Sequence, residues 1–384
     1  MATSLFTQPS YRLPTSRLVT TGFDSKTFEG ETTMIRRTKI AAAFSAAAVI
    51  VAGASFGSTA HAADTLNVYA ALDYSTDVTK AFTAKTGIPV NLVALSTGPL
   101  LAKMQAEKNN PQWGIYWADG AEPCAALDLD KQLLPYSPTL SHSLSYVGKK
   151  LTPTSHAYNV PGYTEMVGVV YNAAKVAKPR SFQDLLTSTY KNQVGMNNPS
   201  ISGPTYPFIA GLMSQLGGED AGKAYLTALK ANGLVVNAKN GPTLHALEVG
   251  TINVALVQSS AAINEVNTFK AKPVAGFNPQ VTFLSKTTLL PSCIAIDAKA
   301  GAAQISAAKQ FVDFVMSDSG QDIMKTGAPG GDSLFFPTMN SRTAVAAVTV
   351  STPTIANGIV QVVDPYIWGP KQGEIDDWFT KNIA

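Results

Sequence analysis

The chain has 384 residues, 45% of them hydrophobic and 14% charged, which is enough for two domains with buried cores and excludes a disordered polymer. The formal charge of +3 resides in residues 1–62, which hold Arg12, Arg17, Lys26, Arg36, Arg37 and Lys39 against Asp24, Glu29 and Glu31. The remainder is formally neutral, so nucleic acid and anionic membrane surfaces lack an electrostatic case as partners.

In chain order, Met34 to Lys39 is basic, Ile40 to Gly57 is apolar and rich in small residues, and Ala60-His61-Ala62 has the small-x-small form of a processing site. The pattern predicts a secretory signal peptide over 34–62, cleaved near Ala62. Its many Ala, Gly and Ser residues argue against a retained anchor. Residues 1–33 have no place in such a signal and are expected to precede a true start at Met34. Arg36-Arg37 alone does not make a twin-arginine signal.

Short apolar runs then alternate with helical patterns: Leu66–Ala70, Ser75–Lys85 closed by Gly87, Val90–Leu95, Leu100–Lys108, Ile115–Trp117 and Ala121–Lys131. Glu165–Tyr171 continues as a buried strand, and Pro179 to Leu186 has the start of a helix. A second series follows, with strands at Gln193–Met196, Leu234–Asn237 and Ile252–Gln258, and helices at Thr205–Leu216, Ala221–Asn232 and Thr243–Val249. Strands at Val281–Leu284 and Leu289–Ile296 and helices at Ala302–Met316 and Gly320–Lys325 return to the first part. The expected fold is α/β, two doubly wound lobes on largely parallel sheets with a ligand cleft and hinge between them. Residues 63–172 with 283–328 form one lobe, and 173–282 with 329–384 the other.

Three helices share one kind of start: Ser96-Thr97-Gly98-Pro99, Ser200-Ile201-Ser202-Gly203-Pro204-Thr205 and Lys239-Asn240-Gly241-Pro242-Thr243. In each, polar residues and a glycine follow a strand, and the proline is expected at the first helical position, where its missing N–H costs nothing. The free N–H groups of a first turn suit an oxyanion. Plain N-capping, stabilising a helix by about 1 kcal/mol, is the alternative for each taken alone. Asp73 and Tyr74 after the first strand, and Trp117 and Asp119 at the third, fall where such folds place ligand contacts. Trp117 either walls in a ligand or packs in the core. Asp332, in Gly330-Gly331-Asp332-Ser333, either holds a ligand amine or makes a turn.

Enzyme motifs are missing or misplaced. Gly53-Ala-Ser55-Phe-Gly57 matches a hydrolase pattern but lies inside the signal. His142, His156 and His245 are scattered, and no metal-ligand spacing is present. Cys124 and Cys293 are the 2 cysteines; they are either a disulfide, permitted after export, or two separate buried thiols.

Several runs together resemble the bacterial periplasmic solute-binding proteins of ABC importers, the family 1 extracellular solute-binding proteins. They are Leu66-Asn-Val-Tyr, Phe82-Thr-Ala-Lys-Thr-Gly87-Ile-Pro-Val, Ser96-Thr-Gly98, Met104-Gln-Ala-Glu-Lys108-Asn-Asn-Pro111, Ile115-Tyr-Trp117, Val169-Val-Tyr-Asn172, Asn198-Pro199 with Ser202-Gly203, and Gly250-Thr-Ile-Asn-Val-Ala-Leu256. The ferric-iron-binding and 2-aminoethylphosphonate-binding branches are the nearest in pattern. The resemblance implies a type II periplasmic binding protein-like fold and a monomer that closes on one small-molecule ligand. It also implies delivery to an ABC permease in the inner membrane, with no catalysis and no cofactor.

Ferric-binding relatives carry adjacent tyrosines after the strand that here ends at Gln258, where this chain has Ser259-Ser260-Ala261. Their metal-binding His and Glu positions fall near Asp73 and Asp119. The resemblance therefore implies an oxyanion or polar organic ligand, a phosphonate or organophosphate, with no metal and with Asp73, Asp119 or Asp332 available to an amine. The expected contacts are Asp73, Ser96, Thr97, Gly98, Trp117, Asp119, Ser200, Ser202, Gly203, Thr205, Asn240, Gln258, Ser259 and Asp332. Ferric iron is the competing ligand. A secreted hydrolase or an adhesion protein is the reading from another class.

Overall fold

A computed structural model describes residues 65–351 and 360–384. The expectations for residues 1–62 lie outside them. The first series forms β1 (Leu66–Ala70), α1 (Ser75–Thr86), β2 (Val90–Ala94), α2 (Thr97–Ala106), β3 (Ile115–Asp119) and α3 (Glu122–Leu129). Strand β1 lies parallel between β2 and β3, as alternation with helices requires. Leu66, Val68 and Ala70 of β1 pack with Val78 and Phe82 of α1. Gly87 ends α1 in the left-handed conformation at φ 74, its N–H returning to the Thr83 carbonyl.

Next come α4 (Tyr146–Leu151), β4 (Tyr158–Asn159) and the long β5 (Gly162–Asn172). The second series is β6 (Val194–Asn197), α5 (Thr205–Leu216), α6 (Glu219–Ala231), β7 (Val235–Asn237), α7 (Asn240–Glu248), β8 (Val254–Gln258) and α8 (Ser259–Ala271). Strand β9 (Pro279–Ile296) leads into α9 (Ala302–Met316) and α10 (Asp318–Gly327), followed by β10 (Phe336–Pro337), α11 (Ala346–Ser351), β11 (Val360–Gln361), α12 (Pro365–Trp368) and α13 (Gln372–Asn382).

The strands lie in the order β2-β1-β3-β9-β5-β8-β6-β7. Strand β9 is antiparallel to β3 through its last residues and to β5 through its first, and β5 is antiparallel to β8. The sheet is thus mixed rather than largely parallel, with β5 and β9 joining two parallel wings. The two strands expected within 281–296 are one: polar Thr287 and Thr288, which read as a break, are buried and pair with Val360 and Gln361 of β11. The helix expected after Pro179 is only short 3-10 turns. There the Asp184 carboxylate accepts from Arg180 N–H and the Ser181 hydroxyl, local bonds that compete with helix propagation.

Separate cores back the two wings. Trp117, Phe311, Phe314 and Phe335 belong to the β1–α1 side, while Met196, Tyr206, Phe208, Ile209 and Leu212 pack with Trp368, Ile375 and Phe379 on the β6–α5 side. The C-terminal helices span the two: Tyr366 donates to Asp128 of α3, and Tyr206 of α5 donates to the Trp368 carbonyl. Cys124 of α3 and Cys293 of β9 form a disulfide with Cα atoms 6.5 Å apart, closing the alternative left open by the sequence.

Candidate functional site

Between the wings lies a cleft of about 240 Å³, lined by Asp73, Ser96, Thr97, Asp119, Ser202, Gly203, Asn240, Gln258 and Asp332, together with Ala71, Pro204, Lys239 and Gly241. Residues from the ends of β1, β3, β6 and β8 and from the starts of α2, α5 and α7 thus share one space, the carboxyl-end position open α/β sheets favour. Lys239, absent from the expected contacts, brings the one basic side chain to the cleft lining.

None of the three helix starts is capped by a side chain, so plain N-capping does not explain their polar residues. Pro99 and Pro242 sit third in α2 and α7, and Pro204 just precedes α5, a small shift from the expected first position. In all three the proline still falls where an N–H would have no helical partner. Two of the starts, those of α5 and α7, are organised by Asn197, the fully buried last residue of β6. Its amide donates to Ser202 Oγ at 3.2 Å and to Asn240 Oδ1 at 2.7 Å, and its carbonyl accepts from Thr243 Oγ1 at 2.6 Å. Across the cleft, Gly98 N–H reaches the Ile201 carbonyl at 3.5 Å. Glycine is needed at this approach: a Cβ on Gly203 would lie 2.1 Å from Thr97 Oγ1, and one on Gly98 1.8 Å from the Ser200 carbonyl oxygen.

The opposite wall is acidic. Asp332 accepts from the Asp73 backbone N–H at 2.7 Å and from Gln258 Nε2 at 2.9 Å, and so joins the β1 side to the β8 side. Burial and then the Asp73 charge push Asp332 up to about 6, opposed by those two hydrogen bonds. Asp119 is held well above the usual carboxylate range by burial, then by Asp332 and Asp73. Among the described residues no Lys or Arg forms an ion pair with Asp73, Asp119 or Asp332.

Five expected contacts stand elsewhere. The Trp117 ring is fully buried between Tyr74 and Phe311, so it packs in the core and does not wall the cleft. Ser200 turns its hydroxyl to Thr380 at 2.8 Å. Thr205 is buried at the α5 start, Ser259 Oγ accepts from Glu165 N–H at 3.1 Å, and Gly98 serves the approach of the two sides.

The family of bacterial extracellular solute-binding proteins matches residues 77–346. A Sinorhizobium fredii protein provisionally named ABC transporter periplasmic-binding protein y4fP is 25% identical over 352 residues, 89% of this chain and 91% of its own. A Salmonella typhimurium protein provisionally named 2-aminoethylphosphonate-binding periplasmic protein is 28% identical over 177 residues, 46% of this chain and 50% of its own. In fold, the chain is similar to the periplasmic binding protein AfuA of Actinobacillus pleuropneumoniae with fructose-6-phosphate bound (TM-score 0.69, 19% identity, 83% and 99% of the two chains covered). It is likewise similar to iron-bound HitA of Pseudomonas aeruginosa (TM-score 0.67, 19% identity, 82% and 98% covered). With this match over most of its folded length, a two-lobed fold and a cleft between the lobes, the chain belongs to the bacterial extracellular solute-binding proteins, which bind and do not catalyse.

Proposed function

We propose that this protein, as the periplasmic substrate-binding component of an ABC importer, captures a small solute with a phosphonate or phosphate ester at one end and an amine at the other. An aminoalkylphosphonate such as 2-aminoethylphosphonate is the type. The observation that carries this reading is the convergence of three uncapped helix starts on one cleft. Their dipoles, and the first-turn N–H groups left without a helical partner, favour an oxyanion, and the Thr97 and Ser202 hydroxyls and Lys239 stand beside them.

The acidic wall supports the second half of the reading. A simple anion in this cleft would be repelled by Asp73, Asp119 and Asp332, whereas an ammonium group would pair with them and relieve their mutual repulsion. For Fe(III), the cleft lining contains no tyrosine, and Ser259 and Ser260 stand where ferric-binding relatives carry theirs. Contacts from both lobes favour the closed arrangement by their difference in affinity between states, and the closed receptor is what the permease would engage.

The test is calorimetric titration of 2-aminoethylphosphonate into the wild type and into the Thr97→Ala, Ser202→Ala double variant. Loss of two oxyanion donors should weaken binding at least about tenfold, with the ligand-free thermal midpoint lowered by a few degrees because Ser202→Ala leaves one Asn197 N–H without its acceptor. Equal affinity in the double variant would sink the site assignment.

A further inference from the structure

Behind the acidic wall lies a second, much smaller space of about 10 Å³, lined on its polar side by Asp119, Asp332, Thr164, Ser292 and Tyr74. Asp119 and Asp332 line both spaces, so the pair forms the partition between cleft and recess. Leu72, Leu290 and Phe335, with Gly162 and Tyr163, complete the recess.

The hydrogen-bond inventory of the recess is incomplete. Thr164, on β5, is only 7% exposed, yet its hydroxyl has no partner, which is costly for a buried polar group. Ser292 donates to the Gly162 carbonyl at 3.1 Å and keeps its lone pairs. Among the described residues none donates a hydrogen bond to the Asp119 carboxylate, and Asp332 keeps lone pairs beyond its two. The recess therefore gathers two carboxylates and hydroxyl oxygens that can all accept, its remaining donors being the rotatable O–H groups of Thr164 and Tyr74. A primary ammonium offers three N–H donors and occupies about the volume of a water molecule.

We infer that this recess is the seat of the ligand's primary ammonium group, with Asp119, Asp332 and Thr164 as its three acceptors, and that Thr164 and the recess walls set which amines are admitted. The inference rests on the proposed zwitterionic ligand and deepens it. The phosphonate stays among the helix starts, and the chain between the charged ends runs from cleft to recess past Asp119 and Asp332. A methylated ammonium exceeds the recess and is rejected on size. A neutral alkyl end leaves both carboxylates and the threonine without a donor.

The experiment compares 2-aminoethylphosphonate, its N,N,N-trimethyl derivative and ethylphosphonate by calorimetry on wild type, Thr164→Val and Thr164→Ser. Wild type is expected to prefer the primary amine over the trimethyl form by at least about tenfold, since the larger head cannot enter. Thr164→Val should lose about five- to tenfold in affinity for the primary amine, as one hydrogen bond to a charged group is removed, with ethylphosphonate unchanged and Thr164→Ser restoring the preference. Equal wild-type affinity for the primary and trimethyl forms overturns the recess even if neither variant folds. An equal loss for the amine and for ethylphosphonate in Thr164→Val, or no loss for either, also overturns it and shows that the space holds only water. If wild type binds ethylphosphonate and the amine equally, the recess fails while the oxyanion site stands; if it binds neither, both readings fall.

Discussion

The side-chain amide of Asn197 donates to Asn240 Oδ1 at 2.7 Å, and through that bond the end of β6 fixes the first turn of α7. The same amide reaches Ser202 before α5. Two of the three helix starts at the cleft therefore share one buried, fully satisfied hub. Asn197→Ala removes three hydrogen bonds at once, and each buried partner left behind costs about 1–3 kcal/mol. Affinity for 2-aminoethylphosphonate should fall at least tenfold and the denaturation midpoint should fall with it. Unchanged affinity, measured by calorimetry, would show that the starts hold their positions without Asn197.

Gly203→Ala tests closure. The added methyl would sit 2.1 Å from Thr97 Oγ1, a clash that exists only while the two sides are together. Ligand should no longer compact the protein in solution scattering, and binding should weaken by about 1–3 kcal/mol, the usual cost of overpacking, while the ligand-free thermal midpoint holds. Ligand-induced compaction equal to that of the wild type would contradict this.

The pH dependence of the ligand-free protein follows from its buried carboxyls, all shifted in one direction, of which Glu122 and Glu165 lie outside the cleft. Burial pushes Glu122 up to about 7 and Glu165 up to about 8, and each has an oxygen without a partner. Both therefore bind a proton more tightly folded than unfolded. Their contribution is greatest below the unfolded carboxyl range near pH 4 and is lost as pH rises through 7 and 8. Stability in urea should decline from pH 5 to 8, and Glu165→Gln should flatten the upper part of that decline. A wild-type profile that rises over the same range would refute the assignment.

Ligand binding carries the opposite sign. Asp332 titrates at about 6, and a ligand ammonium favours its ionised form. The preference for 2-aminoethylphosphonate over ethylphosphonate, which shares the phosphonate titration, should grow from pH 5 to 7. A preference independent of pH would remove Asp332 from amine recognition.

The Cys124–Cys293 bond spans a sequence separation of 169 residues, a loop whose closure stabilises by roughly 5 kcal/mol in chain-entropy terms. Cys124→Ala with Cys293→Ala should lower the thermal midpoint by several degrees, yet hold ligand affinity within about twofold because neither residue lines the cleft. An unchanged midpoint would mean that the bond does not form in the exported protein.

Much of the site was legible because its residues sit in a local grammar. Polar-Gly-Pro starts after strands located Ser96, Thr97, Ser202, Gly203 and Asn240, and strand ends located Asp73 and Asp119. Thr164 escaped because it lies inside β5, and Asn197 because it ends β6 with its side chain fully buried; the role of each depends on partners far along the chain. Trp117 and Ser259 were misplaced for a related reason: Trp117 lies inside β3, two residues short of its end, where its ring packs between Tyr74 and Phe311, and helix α8 begins directly at the end of β8 with no glycine or proline to announce it. The continuity of β9 was hidden by Thr287 and Thr288, whose burial beneath β11 is a tertiary fact.

The most direct test is a thermal-shift panel on the protein from Ala63 onward with 2-aminoethylphosphonate, ethylphosphonate, phosphate, a sugar phosphate, ethanolamine and ferric citrate, since a ligand that binds the native state raises its midpoint by mass action. The largest rise is expected with 2-aminoethylphosphonate and smaller rises with its separate anionic and cationic halves. A rise confined to ferric citrate, with a coloured complex, or to a sugar phosphate without an amine would contradict this.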